Sequence, residues 1–128
     1  MTTTGRCLCK ATTFAFDGPM AWKGHCHCDS CRRNCSAPFT TFLGVPRGNF
    51  RWTGKATGKF SSSPGVHRHF CTTCGTPMAF DRDTDVENIH LYAASLDDHT
   101  QFRAEFHEFW EERVPWVTVI DDLEKHIG

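Results

Sequence analysis

The chain has 128 residues, 39% of them hydrophobic and ten of them Gly, and its 14 basic and 15 acidic residues leave a formal charge of -1. That length corresponds to a single domain over 1-128, and the composition excludes wholesale disorder, collagen and coiled coil. No apolar run reaches the length of a membrane span, the opening MTTTGRCLCK lacks a signal-peptide stretch, and the balanced charge leaves no footprint for DNA or RNA. A cytoplasmic protein with no membrane and no nucleic-acid partner is expected.

In chain order, Cys7 to Phe16 alternates with Thr and Phe and predicts a strand ending at the Asp17-Gly18-Pro19 turn, with Cys7 and Cys9 on one side. Trp22 to Cys28 reads as extended. Asp29 or Ser30 then starts a short helix through Arg32, Arg33 and Asn34 that stops before Pro38. Phe39 to Val45 and Phe50 to Thr53 predict a hairpin or meander, and Ser61 to Gly65 a loop. Val66 to Cys71, Met78 to Phe80, Ile89 to Ala93 and Val117 to Ile120 supply further strands. In Phe102 to Glu112 the spacing of Phe102, Phe106, Phe109 and Trp110 suits a helix, while Phe106, Glu108 and Trp110 suit alternation, so periodicity leaves that segment undecided.

Eight cysteines in a chain without a secretion signal point to metal ahead of disulfides. They are clustered: Cys7 and Cys9 form C-x-C, Cys26, Cys28 and Cys31 form C-x-C-x-x-C, Cys35 follows, and Cys71 and Cys74 form C-x-x-C. A zinc ion takes four ligands at tetrahedral angles, so eight thiols are enough for two sites. Cys71-Thr72-Thr73-Cys74-Gly75 has zinc-knuckle spacing and needs two partner thiols. Spacing alone does not choose between Cys7 with Cys9 and Cys26 with Cys28. Cys26, Cys28 and Cys31 offer three thiolates within six residues, and three protein ligands with a vacant fourth position is how a zinc that does chemistry is held.

The order G-x-C-x-C at Gly5 to Cys9, C-H-C-x-x-C-R-R at Cys26 to Arg33 and F-C-x-x-C-G-T at Phe70 to Thr76 resembles the glutathione-dependent formaldehyde-activating enzymes, whose domain also occurs in centromere protein V. The resemblance extends from Gly5 to Asp122. It implies a mainly β, Mss4-like fold of short antiparallel strands with a short helix and two zinc sites per chain. By that pattern Cys7, Cys9, Cys71 and Cys74 hold a structural zinc, and Cys26, Cys28 and Cys31 a catalytic one. The sequence departs from the family in two places: Lys10 stands where Gly is common, and Cys35-Ser36 stands where Ser or Thr and then Gly are usual. Cys35, four residues after Cys31, has the helical spacing to close the vacant position, against the plainer reading of a small buried thiol.

The implied reaction is that of a carbon-sulfur lyase, joining a small-molecule thiol such as glutathione to an aldehyde such as formaldehyde, or the reverse. An alkoxide forming from the aldehyde needs a proton source and a tripeptide carboxylate needs a cation. His107, just before the Pro115-Trp116 pair, is the candidate for the first by resemblance, and Arg32, directly after the third thiol, for the second. His27 between two ligands reads as a residue facing away from the metal, and His67, Arg68 and His69 as an exposed strand edge. The competing class is a scaffold module in which both zincs are structural. A nucleic-acid-binding zinc ribbon is disfavoured, since seven thiolates and two zinc ions take the formal charge from -1 to about -4.

Overall fold

The computed structural model describes residues 1–100 and 102–128. It is mainly β, as expected, with eleven short strands and one short α-helix. The strands are β1 (Thr2–Arg6), β2 (Thr13–Asp17), β3 (Trp22–Cys26), β4 (Thr40–Pro46), β5 (Phe50–Trp52) and β6 (Thr57–Ser63), followed by β7 (Val66–Cys71), β8 (Pro77–Arg82), β9 (Asn88–Tyr92), β10 (Phe106–Glu108) and β11 (Glu124–Lys125). The helix α1 (Asp29–Cys35) lies between β3 and β4. A three-stranded sheet has the order β1-β2-β5, and an eight-stranded sheet the order β11-β10-β3-β4-β9-β8-β7-β6. Pairing is antiparallel except where β10 runs parallel to β3 and β11. No described helix is long and apolar enough to cross a membrane.

Alternation along the strands divides the molecule. One face of the large sheet contributes Leu43, Val45, Ala79, Ile89 and Leu91 to a buried core shared with Phe14 and Phe16 of the small sheet. The residues between them, Phe42, Phe80 and His90, point the other way and line an open groove. Two glycines shape that groove. A Cβ on Gly44 would collide with the Trp22 indole and one on Gly24 with the Phe106 ring, so both rings lie against bare backbone on the open face of the sheet.

Three expectations are corrected. Cys7 to Phe16 is not one strand; residues 7–12 form the loop of the β1-β2 hairpin, closed by Cys7 N–H donating to the Thr12 carbonyl at 3.0 Å. The Thr-Phe alternation begins only at Thr13, and an uninterrupted strand would have carried Cys9 away from Cys7 by about 7 Å. Ser61 to Ser63 are not loop but the end of β6, the outer strand of the sheet, where both faces are polar because they are exposed. Val117 to Ile120 form no strand: Ile120 is 91% exposed, and the edge beside β10 is taken by β11 instead. In the undecided segment alternation prevails over residues 106–108, and Phe109, at a left-handed φ of 54°, breaks the strand into a 3-10 turn over Trp110–Glu112.

Candidate metal centres and the groove between them

The β1-β2 loop and the β7-β8 turn bring four sulfurs together. Those of Cys7, Cys9, Cys71 and Cys74 all lie within 4.8 Å of one another. Cys7 and Cys9 sulfurs are 3.7 Å apart and those of Cys9 and Cys71 3.8 Å. Two bonds of ~2.3 Å at a tetrahedral angle require sulfurs about 3.8 Å apart, whereas a disulfide needs about 2 Å, so the spacing suits a zinc-sized ion. All eight cysteines are free. Local backbone shapes the cluster: Gly75 at a φ of 80° turns the chain under Cys74, and Lys10 at 73° does the same after Cys9. N–H groups point at the sulfurs, from Thr12 to Cys7 at 3.3 Å and from Thr73 to Cys71 at 3.4 Å. The neighbouring Thr12 side chain and the Cys74 and Thr73 backbone bring the Cys71 thiol down to about 5. Such donors favour the thiolate form a metal binds.

The second cluster is built by the end of β3 and the start of α1. Cys26, Cys28 and Cys31 have their sulfurs within 4.8 Å of one another, and all three line the groove, a cleft of about 780 Å³. Cys28 is also the N-cap of α1, its sulfur accepting from Cys31 N–H at 3.3 Å. Cys35 is outside this group although it sits on the same helix. It borders a different cleft, beside Tyr92 and Phe39, and burial raises its thiol pKa. The helix closes at once after it, with Ser36 at a left-handed φ of 53°.

Neither expected catalytic side chain lines the groove. His107 is fully buried on the far side of β10, between Phe106 and Glu108, which do face the groove. Its Nδ1 lies 2.9 Å from Nε2 of His27 and its Nε2 2.8 Å from Oδ2 of Asp121. Asp121 can only accept, so His107 donates to it from Nε2, and that bond holds the carboxyl down to about 2. His27 does face away from the sulfurs, but it is buried as well, and burial with neighbouring positive charge brings its pKa down to about 4. Arg32 donates from Nε to the His27 carbonyl at 3.0 Å and pairs with Asp29.

The cation that does reach the sulfurs is Arg68, expected at an exposed edge and found 5% exposed because β6 covers β7 on its outer side. Its Nη1 donates to Cys31 Sγ at 3.6 Å and its Nε to Ser62 Oγ at 2.9 Å, and its guanidinium lies 5.0 Å from the centre of the Phe80 ring. The thiols of Cys26 and Cys28, followed by Arg68, draw the Cys31 pKa well below the ordinary thiol value. The signal for Arg68 was present in the spacing: three positions before Cys71 in one strand, it must face the opposite side of the sheet from that ligand. Asp121 had no such signal, because nothing local ties it to His107 fourteen residues earlier.

Three cysteine motifs in this order, folded into these two clusters, match the model of the glutathione-dependent formaldehyde-activating enzymes over residues 2–113. The chain belongs to that family. A relative in Schizosaccharomyces pombe, described as an uncharacterized lyase, is 36% identical over 76 residues, which is 59% of this chain and 55% of that protein. The match therefore spans about half the length of that curated relative. Among solved structures, a Rhodobacter sphaeroides protein superposes with a TM-score of 0.62 at 21% identity, over 73% of this chain and 87% of that one, and shares the fold.

Proposed function

We propose that this protein is a zinc-dependent carbon-sulfur lyase that forms or cleaves a thiol-aldehyde adduct of the S-hydroxymethylglutathione type. Membership of the formaldehyde-activating family and the lyase description of its relative support the class. The observation that carries the reading is the contrast between the two clusters. Four sulfurs make a complete tetrahedral set, whereas three sulfurs open onto a groove with no fourth protein sulfur beside them. In this reading Cys7, Cys9, Cys71 and Cys74 hold a structural zinc, and Cys26, Cys28 and Cys31 a reactive one.

Zinc, when bound there, supplies the Lewis acidity that lets a thiol shed its proton at neutral pH. The sulfur then adds to the aldehyde carbon, the carbonyl electron pair moves to oxygen, and the oxygen takes up a proton; the reverse cleaves the same C–S bond. The groove supplies the rest. Arg68 and Arg82 stand on its β7-β8 wall and Glu108 and Glu112 on its β10 wall. Opposed walls of opposite charge suit a thiol that carries both carboxylate and ammonium groups, as glutathione does. Glu112 also accepts from Asp29 N–H at 3.0 Å, one residue from Cys28, so its carboxylate stands beside the ligand loop. His107 and Arg32 act here as positioning residues, His107 by fixing the His27 ring and Arg32 by fixing the His27 carbonyl, both between Cys26 and Cys28.

The test compares Cys31→Ser with Cys35→Ser for zinc content and for turnover of glutathione and formaldehyde. Loss of one zinc and of turnover in the Cys31 variant alone is expected. Loss of the second zinc in the Cys35 variant would instead close the site and favour a scaffold in which both zincs are structural.

A further inference from the structure

A guanidinium taken out of water is stable only with an anion or a full set of acceptors around it. Arg68 is 5% exposed, and among the described residues no carboxylate lies within ion-pair distance of it. Its polar partners are the Ser62 hydroxyl and the Cys31 sulfur, and Phe80 covers its plane. The anion that balances it is therefore the sulfur cluster. Ser62 and Phe80 also fix where the charge sits, since a planar fork held at Nε and stacked on a ring cannot swing away as an ammonium could.

Three thiolates around a divalent ion carry a charge of -1, and the Arg68 guanidinium brings the assembly to zero before any fourth ligand arrives. We infer that Arg68 sets the ligand preference of the Cys26-Cys28-Cys31 site, making its open position selective for an anionic donor, a thiolate, over a neutral one such as an imidazole. This rests on the reading of that cluster as a metal centre. A thiolate entering beside Arg68 takes the site to -1; without Arg68 it would take it to -2 in a partly dehydrated groove, where like charges repel more strongly than in water. An imidazole brings no charge and is indifferent to the guanidinium. Arg68 therefore discriminates between ligand classes, and the outer strand β6 earns a role in the site through Ser62.

The experiment loads the whole protein with Co(II), counts the metal, and follows the absorbance of the cobalt bands during separate titrations with 2-mercaptoethanol and with imidazole at one fixed pH. Arg68→Met is expected to weaken thiol binding on the order of tenfold while imidazole binding changes by less than about twofold. A purely structural role for Arg68 predicts that both affinities fall together; that outcome, or no change in either, overturns the inference. A wild-type protein that takes up a single Co(II) overturns the metal-centre reading itself, whereas two Co(II) with an unaltered thiol-to-imidazole ratio overturns only the role of Arg68. Arg68→Gln, which keeps a polar head for Ser62 but no charge, provides the same comparison should Arg68→Met fail to fold.

Discussion

Nε2 of His27 and Nδ1 of His107 meet at 2.9 Å across eighty positions of sequence, joining the strand end that carries two cluster cysteines to a strand near the C-terminus. Asp121 completes the chain of contacts from the far side. His107→Phe keeps a ring of similar volume but removes both bonds and leaves the buried His27 Nε2 without an acceptor, a cost of about 1–3 kcal/mol, while the exposed Asp121 returns to water. The expected result is a lower denaturation midpoint. Because the ring faces away from the groove and acts on it only by holding His27, thiol binding per folded molecule should weaken modestly, and its complete loss would make His107 more than a support.

Lys10 and Ser36 sit in left-handed backbone at φ of 73° and 53°. They are the two positions at which glycine is the usual residue of the family that the motifs resemble. A side chain in this region costs about 1 kcal/mol, partly offset by the extra freedom glycine gains in the unfolded chain. Lys10→Gly and Ser36→Gly are each expected to raise stability by roughly 0.5–1 kcal/mol, checked by calorimetry of the metal-loaded protein.

Cys74→Ser should be far more damaging than Cys28→Ser. A complete four-thiolate zinc site contributes on the order of 10 kcal/mol to the folded state. Here its loss would also free the β1-β2 hairpin loop from the β7-β8 turn. The expected readout is loss of one zinc with unfolding or aggregation for Cys74→Ser, and a folded protein with reduced metal for Cys28→Ser. Equal melting of the two would show that neither cluster is the structural one.

His90 lies in the groove between the Trp22 and Phe80 rings, and burial lowers its pKa despite a 2.8 Å contact with Asp85. Its folded pKa is below the unfolded value near 6.5, so unfolding takes up a proton in that window. The contribution is fully present above pH about 6.5 and is lost as the pH falls through the folded value. The difference in melting temperature between wild type and His90→Gln should therefore shrink on acidification below 6.5, and a difference that grows would reverse the sign.

Much of this was legible in the chain, and for identifiable reasons. Val66 to Cys71 and the helix α1 were readable because their signals are local: an alternating run closed by a knuckle, and a polar stretch from Asp29 stopped before Pro38; that Cys28 caps the helix is seen only in the structure. The grouping of the four-sulfur cluster was not readable from spacing, since Cys7 and Cys71 are neighbours only through the packing of one sheet on the other; the family resemblance supplied it. His107 was singled out as a candidate, yet its side of β10 depends on pairing with β3, which a three-residue strand cannot announce. The exposed-edge reading of Arg68 failed for the complementary reason. Its neighbour β6 reads TGKFSSS, with Phe60 its one apolar side chain, so the strand that covers it has little apolar signature.

The strand β7 carries Arg68 toward the groove and Cys71 toward the opposite pole, three residues apart. A deletion of one residue between them would reverse the phase of everything on one side, presenting a cation to the buried pole or withdrawing a thiol from it. The two centres thus share one ruler with a two-residue division, and neither can be re-spaced alone. Changes of length in this hairpin are confined to the Pro64-Gly65 turn, where added residues shift no side chain from one face to the other.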